Sequence, residues 1–413
     1  MRLDIQQIKD DLMFLAGRLL HRGAQTADER EAAKFIQRRL EPYTVTAGLE
    51  DFETHDNFPF LFSSYYSEFF VVALLAHWAP LLGLVYGLVI LGAYLAEFTG
   101  YRGLSRFLPQ FESQNVVART EASAPRHLFV VTAYYDSGCA SPLTDPLLLP
   151  RLRLLHHIVL LAIVLLLATC VLDSIGQFQE VSFALTIYVR WATVVFLLFA
   201  AFMLYYLASQ GEDIRGANSN ASGVAAMLRL AEKLHNQPLH DADVWFVAPG
   251  SHEAWMSGMA AFLRRHRLPR RHTYMLNLEG VGAGRLNYTT AEGLLQRMPC
   301  SPKMVQAARA AVRDQRIVHT RLHSIPTGVH TALARGYNAI SIIGLDPRGV
   351  PPHWNQITDR ITEVDEESIA QAADFAEETL RQLEKHLKHE GASTPSWRKN
   401  KEAPPIYEDD FTA

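Results

Sequence analysis

Two long apolar stretches limit what this chain can become. Residues 154–172 form a compact run broken only by His156 and His157, and residues 182–208 are apolar except for Arg190 and a few hydroxyls. Each supplies about the 20 apolar residues that a helix needs to cross a bilayer's hydrocarbon core. Neither carries polar residues at helical spacing, so a soluble core helix would have no face to give to water. Insertion of both into the lipid bilayer is expected. It also absorbs the apolar surplus of a 413-residue chain that is 49% hydrophobic, only 20% charged and of mean hydropathy +0.00.

Orientation follows from charge. The linker over 173–180 holds two acids and no Lys or Arg, whereas Arg102, Arg106, Arg119, Arg126, Arg151, Arg153 and Arg215 flank the hydrophobic segments. The positive-inside rule then puts the linker outside and the polar parts in the cytoplasm, as in an integral protein of the inner, cytoplasmic membrane. Arg190 falls about two turns inside its helix and is expected to snorkel to the outer interface. A third stretch, 69–98, is apolar apart from His77 and Glu97 and has Pro80 near its middle. One crossing would part residues 1–65 from residues 99–150, which read as pieces of one domain. Residues 66–98 are therefore expected to form a short or re-entrant helical hairpin bent at Pro80. The N-terminal segment lacks the apolar core and cleavage site of a signal peptide. Net charge is −4 with no long basic run, which excludes nucleic acid as partner. Cys139, Cys170 and Cys300 lie far apart with no CxxC pair, so neither a disulfide framework nor a thiolate zinc site is indicated.

With the apolar inserts set aside, the remainder alternates strands and helices. Strands are expected at 115–119, 128–133, 244–248, 274–278 and 339–343. Helices are expected at 27–40, 222–234, 253–265 and 366–387. This predicts an α/β domain, a mixed β-sheet flanked by helices on both faces, with transmembrane helices inserted into it. The expected division is a discontinuous domain over 1–65, 99–150 and 209–389, the hairpin over 66–98, two transmembrane helices over 151–208, and a disordered tail over 390–413.

Five motifs then fall in order: AYYDS at 133–137, GANSNASGVAAML at 216–228, VWFVAPGSHEAWMSGMAAFL at 244–263, LNLEGVG at 276–282, and PPHWNQITDRITEVDEESI at 351–369. Together they resemble the zinc aminopeptidase family M28, whose relatives include glutaminyl cyclases and the non-catalytic ectodomains of transferrin receptors. The resemblance implies a dizinc cleft built from one side chain per motif. Its first His corresponds to Tyr134 and its bridging Asp to Ser219. The general-base Glu corresponds to His252 and the adjacent ligand Glu to Glu253. The next Asp corresponds to Glu279 and the last His to Asn355. Asp136 stands where the family orients its first His, and Asn220 flanks the bridging position.

Zinc prefers imidazole, carboxylate and thiolate donors, and a pair of ions needs a bridging carboxylate and a carboxylate base. Ser219, Asn355 and Tyr134 supply none of these. No bound cofactor is expected, with zinc on His252, Glu253 and Glu279 as the alternative. Glu253 and Glu279 then read as buried, hydrogen-bonded carboxylates, Asp136 as a turn cap, and Trp354 and Asp359 as supports of their loop. His330 and His353 join His252 only in the rearranged-site alternative. The expected function is that of a membrane-anchored, catalytically inactive aminopeptidase-like protein. It would bind a partner or ligand through the old cleft, the partner being another membrane protein or a second copy of itself. The alternatives are an active metallopeptidase or amidohydrolase with a rearranged site, and a regulatory subunit of a membrane complex or transporter.

Overall fold

The computed structural model describes residues 2–179, 184–314, 316–322 and 325–388. The expected disordered tail and Glu180 of the linker lie outside these residues. In chain order come α1 (Arg2–Leu12), α2 (Ala27–Leu40), β1 (Thr46–Thr54), α3 (Phe58–Trp78), α4 (Pro80–Glu97), β2 (Phe111–Arg119), β3 (His127–Thr132), β4 (Cys139–Ala140), α5 (Leu152–Gln179), α6 (Ala184–Ser209), β5 (Glu212–Asp213), α7 (Ser222–Asn236), β6 (Ala242–Ala248), α8 (Ser257–His266), β7 (Thr273–Glu279), β8 (Arg285–Glu292), β9 (Met298–Pro299), α9 (Pro302–Ala311), β10 (Val318–Leu322), α10 (His330–Ala334), β11 (Asn338–Leu345) and α11 (Glu366–Leu387).

Nine described strands form one mixed sheet in the order β1-β2-β6-β3-β7-β11-β8-β10, with β9 on β8. Its centre, β6-β3-β7-β11, is parallel. The strands β3, β6 and β7 are buried along their whole length, as continuous Val/Phe/Leu-rich runs such as HLFVVT and ADVWFVA require. Helices α1, α2, α7, α9 and α11 cover one face, and α8 and α10 the other. The family-like α/β sheet read from the sequence is thus present. The largest difference at a helix boundary is the start of α8. Instead of starting at Glu253, α8 starts at Ser257, because Ser251, Trp255 and Met256 take positive φ (46°, 58° and 55°) and coil the chain before it.

The apolar segments form a four-helix bundle in which α3 touches α4 and α6, and α5 touches α4 and α6. Phe62, Phe69, Val72, Tyr94, Ile163, Leu166 and Leu197 fill its interior. Leu161, Val195, Phe199 and Phe202 point outward and exposed. An apolar exterior around an apolar interior is the arrangement lipid selects. The helices approach closely where Gly87 faces Leu167, since a Cβ there would lie 2.4 Å from the leucine side chain.

The first hairpin is not short. α3 has 21 residues and α4 has 18, or ~31 Å and ~27 Å at 1.5 Å per residue. The helix begins at Phe58 because Asn57 accepts the Phe60 N–H (2.9 Å) and Pro59 sits in its first turn. Ser, Tyr and Glu between Ser63 and Glu68 dilute its hydropathy, which hid it in the sequence. Among the described residues, four helices are long and apolar enough to cross a membrane. Both hairpins leave and return at paired strands. α3–α4 joins β1 to β2, antiparallel neighbours over nine residues, and α5–α6 joins β4 to β5.

Arg190 does not snorkel. Its side chain is buried in the bundle and pairs with Asp173 on α5, near Thr169 and Thr186. Pairing inside the bundle replaces the hydration that snorkelling would have supplied.

Candidate functional site

The site lies where the parallel strands end at their carboxyl edge, the usual crevice of such sheets. The segment leaving β3 delivers Tyr134 and Asp136. The segment leaving β6 delivers His252 and Glu253, and Glu279 is the last residue of β7. The wide helical turn Ala217–Ala221 that runs into α7 carries Ser219, and the loop before α11 carries Asn355 and Asp359. Eight side chains from five segments are therefore brought to one place by topology.

Asp136 is fully buried and accepts the backbone N–H groups of His252 (2.8 Å) and Glu253 (2.9 Å), which fixes the coiled loop after β6. Burial raises its pKa to about 6. The His252 ring stacks on Tyr134 at 3.8 Å between centroids, 15° from parallel. Burial, with His330 nearby, pushes the His252 imidazole down to about 3, so it stays neutral. Asn355 adopts φ 48° and turns its amide NH₂ onto Glu253, 3.3 and 3.2 Å from the two carboxylate oxygens. Ser219 donates its hydroxyl to Asp359 (2.6 Å), which also accepts the Asn218 N–H (2.5 Å) and the Ser219 N–H (3.1 Å). Glu279 receives Asn277 (2.9 Å) and the Gly328 N–H (3.0 Å), both on one oxygen. Among the described residues, neither Glu253 nor Glu279 meets an arginine.

The Tyr134 hydroxyl, the second Glu279 oxygen and the Asn355 amide oxygen are buried and find no hydrogen-bond partner among the described residues. Burial, and then the charges of Glu279, Glu253, Asp136 and Asp359 around it, make this phenol costly to ionise, and the Tyr134 pKa rises well above its ordinary value. Burial also lifts Glu253 and Glu279 to about 8.

The other two histidines of the rearranged-site alternative find their hydrogen-bond partners outside the inherited positions. His330 is buried with Nε2 3.2 Å from the Phe98 carbonyl, and burial lowers its pKa to about 4. His353 lies half-exposed against Thr358 (2.9 Å). The residue that sequence reading missed is Arg22. It is wholly buried and donates to the carbonyls of Leu15, Tyr135 (3.0 Å), Arg215 (3.0 Å) and Gly216 (3.2 Å), and to the Asn220 side chain. Gly216 carries φ 57°, and a Cβ there would lie 2.4 Å from that Asn220 amide. Desolvation lowers Arg22 to about 10, opposed by the charges of Asp359 and Asp136, so it remains a cation. An Arg in a polar N-terminal segment reads as surface, and no spacing in the sequence marks it otherwise.

A model of one family, described as Peptidase family M28, matches residues 191–380. That region holds Ser219, Asn220, His252, Glu253, Glu279 and Asn355. Over residues 191–380 the chain is similar to peptidase family M28. The rest of the M28-like fold is carried by structural likeness. A zinc aminopeptidase from Bacillus subtilis, BSAP, is 15% identical and superposes with a TM-score of 0.53 over 92% of this chain and 95% of its own. An aminopeptidase from Aneurinibacillus sp. strain AM-1 gives 0.53 at 12% identity over 92% and 93%. The glutaminyl cyclase of Bacteroides thetaiotaomicron gives 0.50 at 14% over 91% and 95%. No curated protein shows detectable sequence similarity to the chain.

A pH dependence follows from Glu279. Its folded pKa, about 8, lies above the unfolded 4.5. The unfolded chain therefore loses this proton first as pH rises. The contribution of Glu279 to stability is complete below pH 4.5 and is lost as pH climbs to about 8. In chelator-washed protein, Glu279→Gln is expected to flatten the fall of melting temperature between pH 5 and 8. Parallel wild-type and variant curves across that window would contradict this.

Proposed function

We propose that this protein is a membrane-anchored, catalytically inactive relative of the M28 aminopeptidases that binds a partner or ligand through the old metal cleft. One observation carries the reading: several side chains at the inherited positions are turned onto one another or onto neighbours. Asn355 covers Glu253, Ser219 is turned onto Asp359, and Tyr134 stacks on His252. A zinc pair would need Ser219 to be a bridging carboxylate and His252 a carboxylate base, so the donor set fits such a pair poorly. The similar structures named zinc aminopeptidases lend weight to the second reading, an enzyme with a rearranged site. The unpartnered oxygens of Tyr134, Glu279 and Asn355 favour some occupant of the cleft under either reading.

In the proposed topology four helices cross the inner membrane and both hairpins begin and end in the cytoplasm. The pairing of β1 with β2 and of β4 with β5 supports this parity. Tags near residues 45 and 120 should report the cytoplasm, and a tag near 180 the opposite side. Tags at 45 and 120 in different compartments would refute it.

Binding is tested by crosslinking in intact cells followed by mild-detergent extraction. A complex with another membrane protein, or a self-associated species, is expected. It should persist in Glu253→Gln and Glu279→Gln chains that fold. Recovery as a bare monomer, uncrosslinked in cells, would count against the proposal.

A further inference from the structure

A cavity with polar groups in its lining lies away from that site, at the foot of the bundle, where β1 ends, α4 ends and α8 begins. His55, Glu97, Arg102, Ser105, Trp255 and Arg264 line it. Two of these groups are buried and unsatisfied: His55 is 4% and Ser105 0% exposed, and neither His55 Nε2 nor Ser105 Oγ meets a partner among the described residues. A buried hydroxyl and imidazole left unpaired are costly unless something in the cavity receives them.

The charge around them selects the ligand. Glu97 is already met by the Tyr65 hydroxyl (3.1 Å) and the N–H groups of Gly103 (2.8 Å) and Ser105 (3.1 Å). Glu53 stands exposed at the rim. Against these carboxylates stand two guanidinium groups, Arg102 and Arg264, and the N-terminal end of α8 at Ser257. Arg102 also donates to Gln110. Burial and the charge of Arg102 keep the His55 imidazole neutral, near 4, so it presents a single N–H at neutral pH. Guanidinium forks, a hydroxyl and an imidazole N–H form the donor set that a phosphate's several oxygens accept.

The depth of the cavity suggests where the phosphate resides. Glu97 closes a helix long and apolar enough to cross a membrane. Trp255 donates to the Glu97 carbonyl (3.0 Å) and packs on Phe58, Phe62 and Phe98 at the bundle's foot. The loop that supplies Arg102 and Ser105 also holds Phe107, 84% exposed, and Tyr101, 55% exposed. Aromatic side chains beside arginines at a span's end belong at headgroup level.

We propose that this cavity binds a phosphate group, either the headgroup of an anionic phospholipid or a free phosphate. The site is independent of the cleft and of any catalytic reading.

The test uses the full chain, delipidated in mild detergent, with thermal melting in the presence of three probes: inorganic phosphate, short-chain phosphatidic acid, and diacylglycerol of the same chain length. Saturable stabilisation by phosphatidic acid but not diacylglycerol is expected. The joint substitution Arg102→Gln with Arg264→Gln should weaken it about 10-fold or more. Ala260→Met, which fills the cavity while leaving both charges, should weaken it as well and stands in should the arginine variant not fold. Stabilisation by phosphatidic acid alone assigns the site to lipid, and by inorganic phosphate too, to a free phosphate. Silence from both phosphate probes, equal response to diacylglycerol, or unchanged binding in the folded variants overturns the proposal.

Discussion

Replacing Arg22 with Met is expected to lower the melting temperature by on the order of 10 °C, the largest loss from a single side chain outside the sheet's apolar core. The guanidinium is wholly enclosed and ties three separate pieces of chain: Leu15 after α1, Tyr135 after β3, and the turn from Arg215 to Asn220. Its own backbone completes the tie, exchanging bonds with Ser137 at 3.0 and 2.9 Å. Met fills similar volume but leaves buried carbonyls without donors and removes the cation that faces Asp136 and Asp359. Breaking a buried charge network by deleting one partner costs about 3–5 kcal/mol, a large share of a typical total of about 5–15 kcal/mol. Arg22→Lys should recover only part, because a compact ammonium cannot reach acceptors spread around a planar fork. Melting curves of purified full-length protein in one detergent decide it, and a Met variant within about 2 °C of wild type would refute the role given to Arg22.

Much of this architecture was legible because it rests on periodicity. The buried strands at β3, β6, β7 and β11 announce themselves as short β-branched runs between polar turns, and α11 as a long amphipathic stripe. The motif order placed Tyr134, Ser219, His252, Glu253, Glu279 and Asn355 in one cleft, and the parallel strand ends gather them there. What escaped were features set by tertiary context. The start of α3 was masked by hydroxyls and Glu68. The start of α8 was displaced by three left-handed residues that no propensity favours. Arg190 looked like an interfacial charge because Asp173, 17 positions earlier, was read as linker rather than as a residue of α5. Arg22 was invisible for the same reason: its acceptors are mostly main-chain carbonyls up to 194 positions away, and carbonyls leave no mark in a sequence.

The second large effect concerns catalysis. Peptide hydrolysis on a dizinc centre needs a bridging carboxylate to hold two cations together and a carboxylate to take the proton of the attacking water. In the proposed reading those positions fall to Ser219, whose hydroxyl is committed to Asp359, and His252, a neutral imidazole stacked on Tyr134. Loss of a general base alone typically costs about 10²–10⁴ in rate, and loss of the paired metal acts on the same step in addition. The two carboxylates that remain, Glu253 and Glu279, come from different segments and are each bonded to an asparagine amide. Elemental analysis of the purified full-length protein, combined with an aminopeptidase assay before and after chelation, is the most direct test. The proposal predicts less than one tightly bound zinc per chain and no chelator-sensitive hydrolysis. Stoichiometric zinc, with peptide hydrolysis that disappears in Glu253→Gln, would contradict it and establish the rearranged-site enzyme instead.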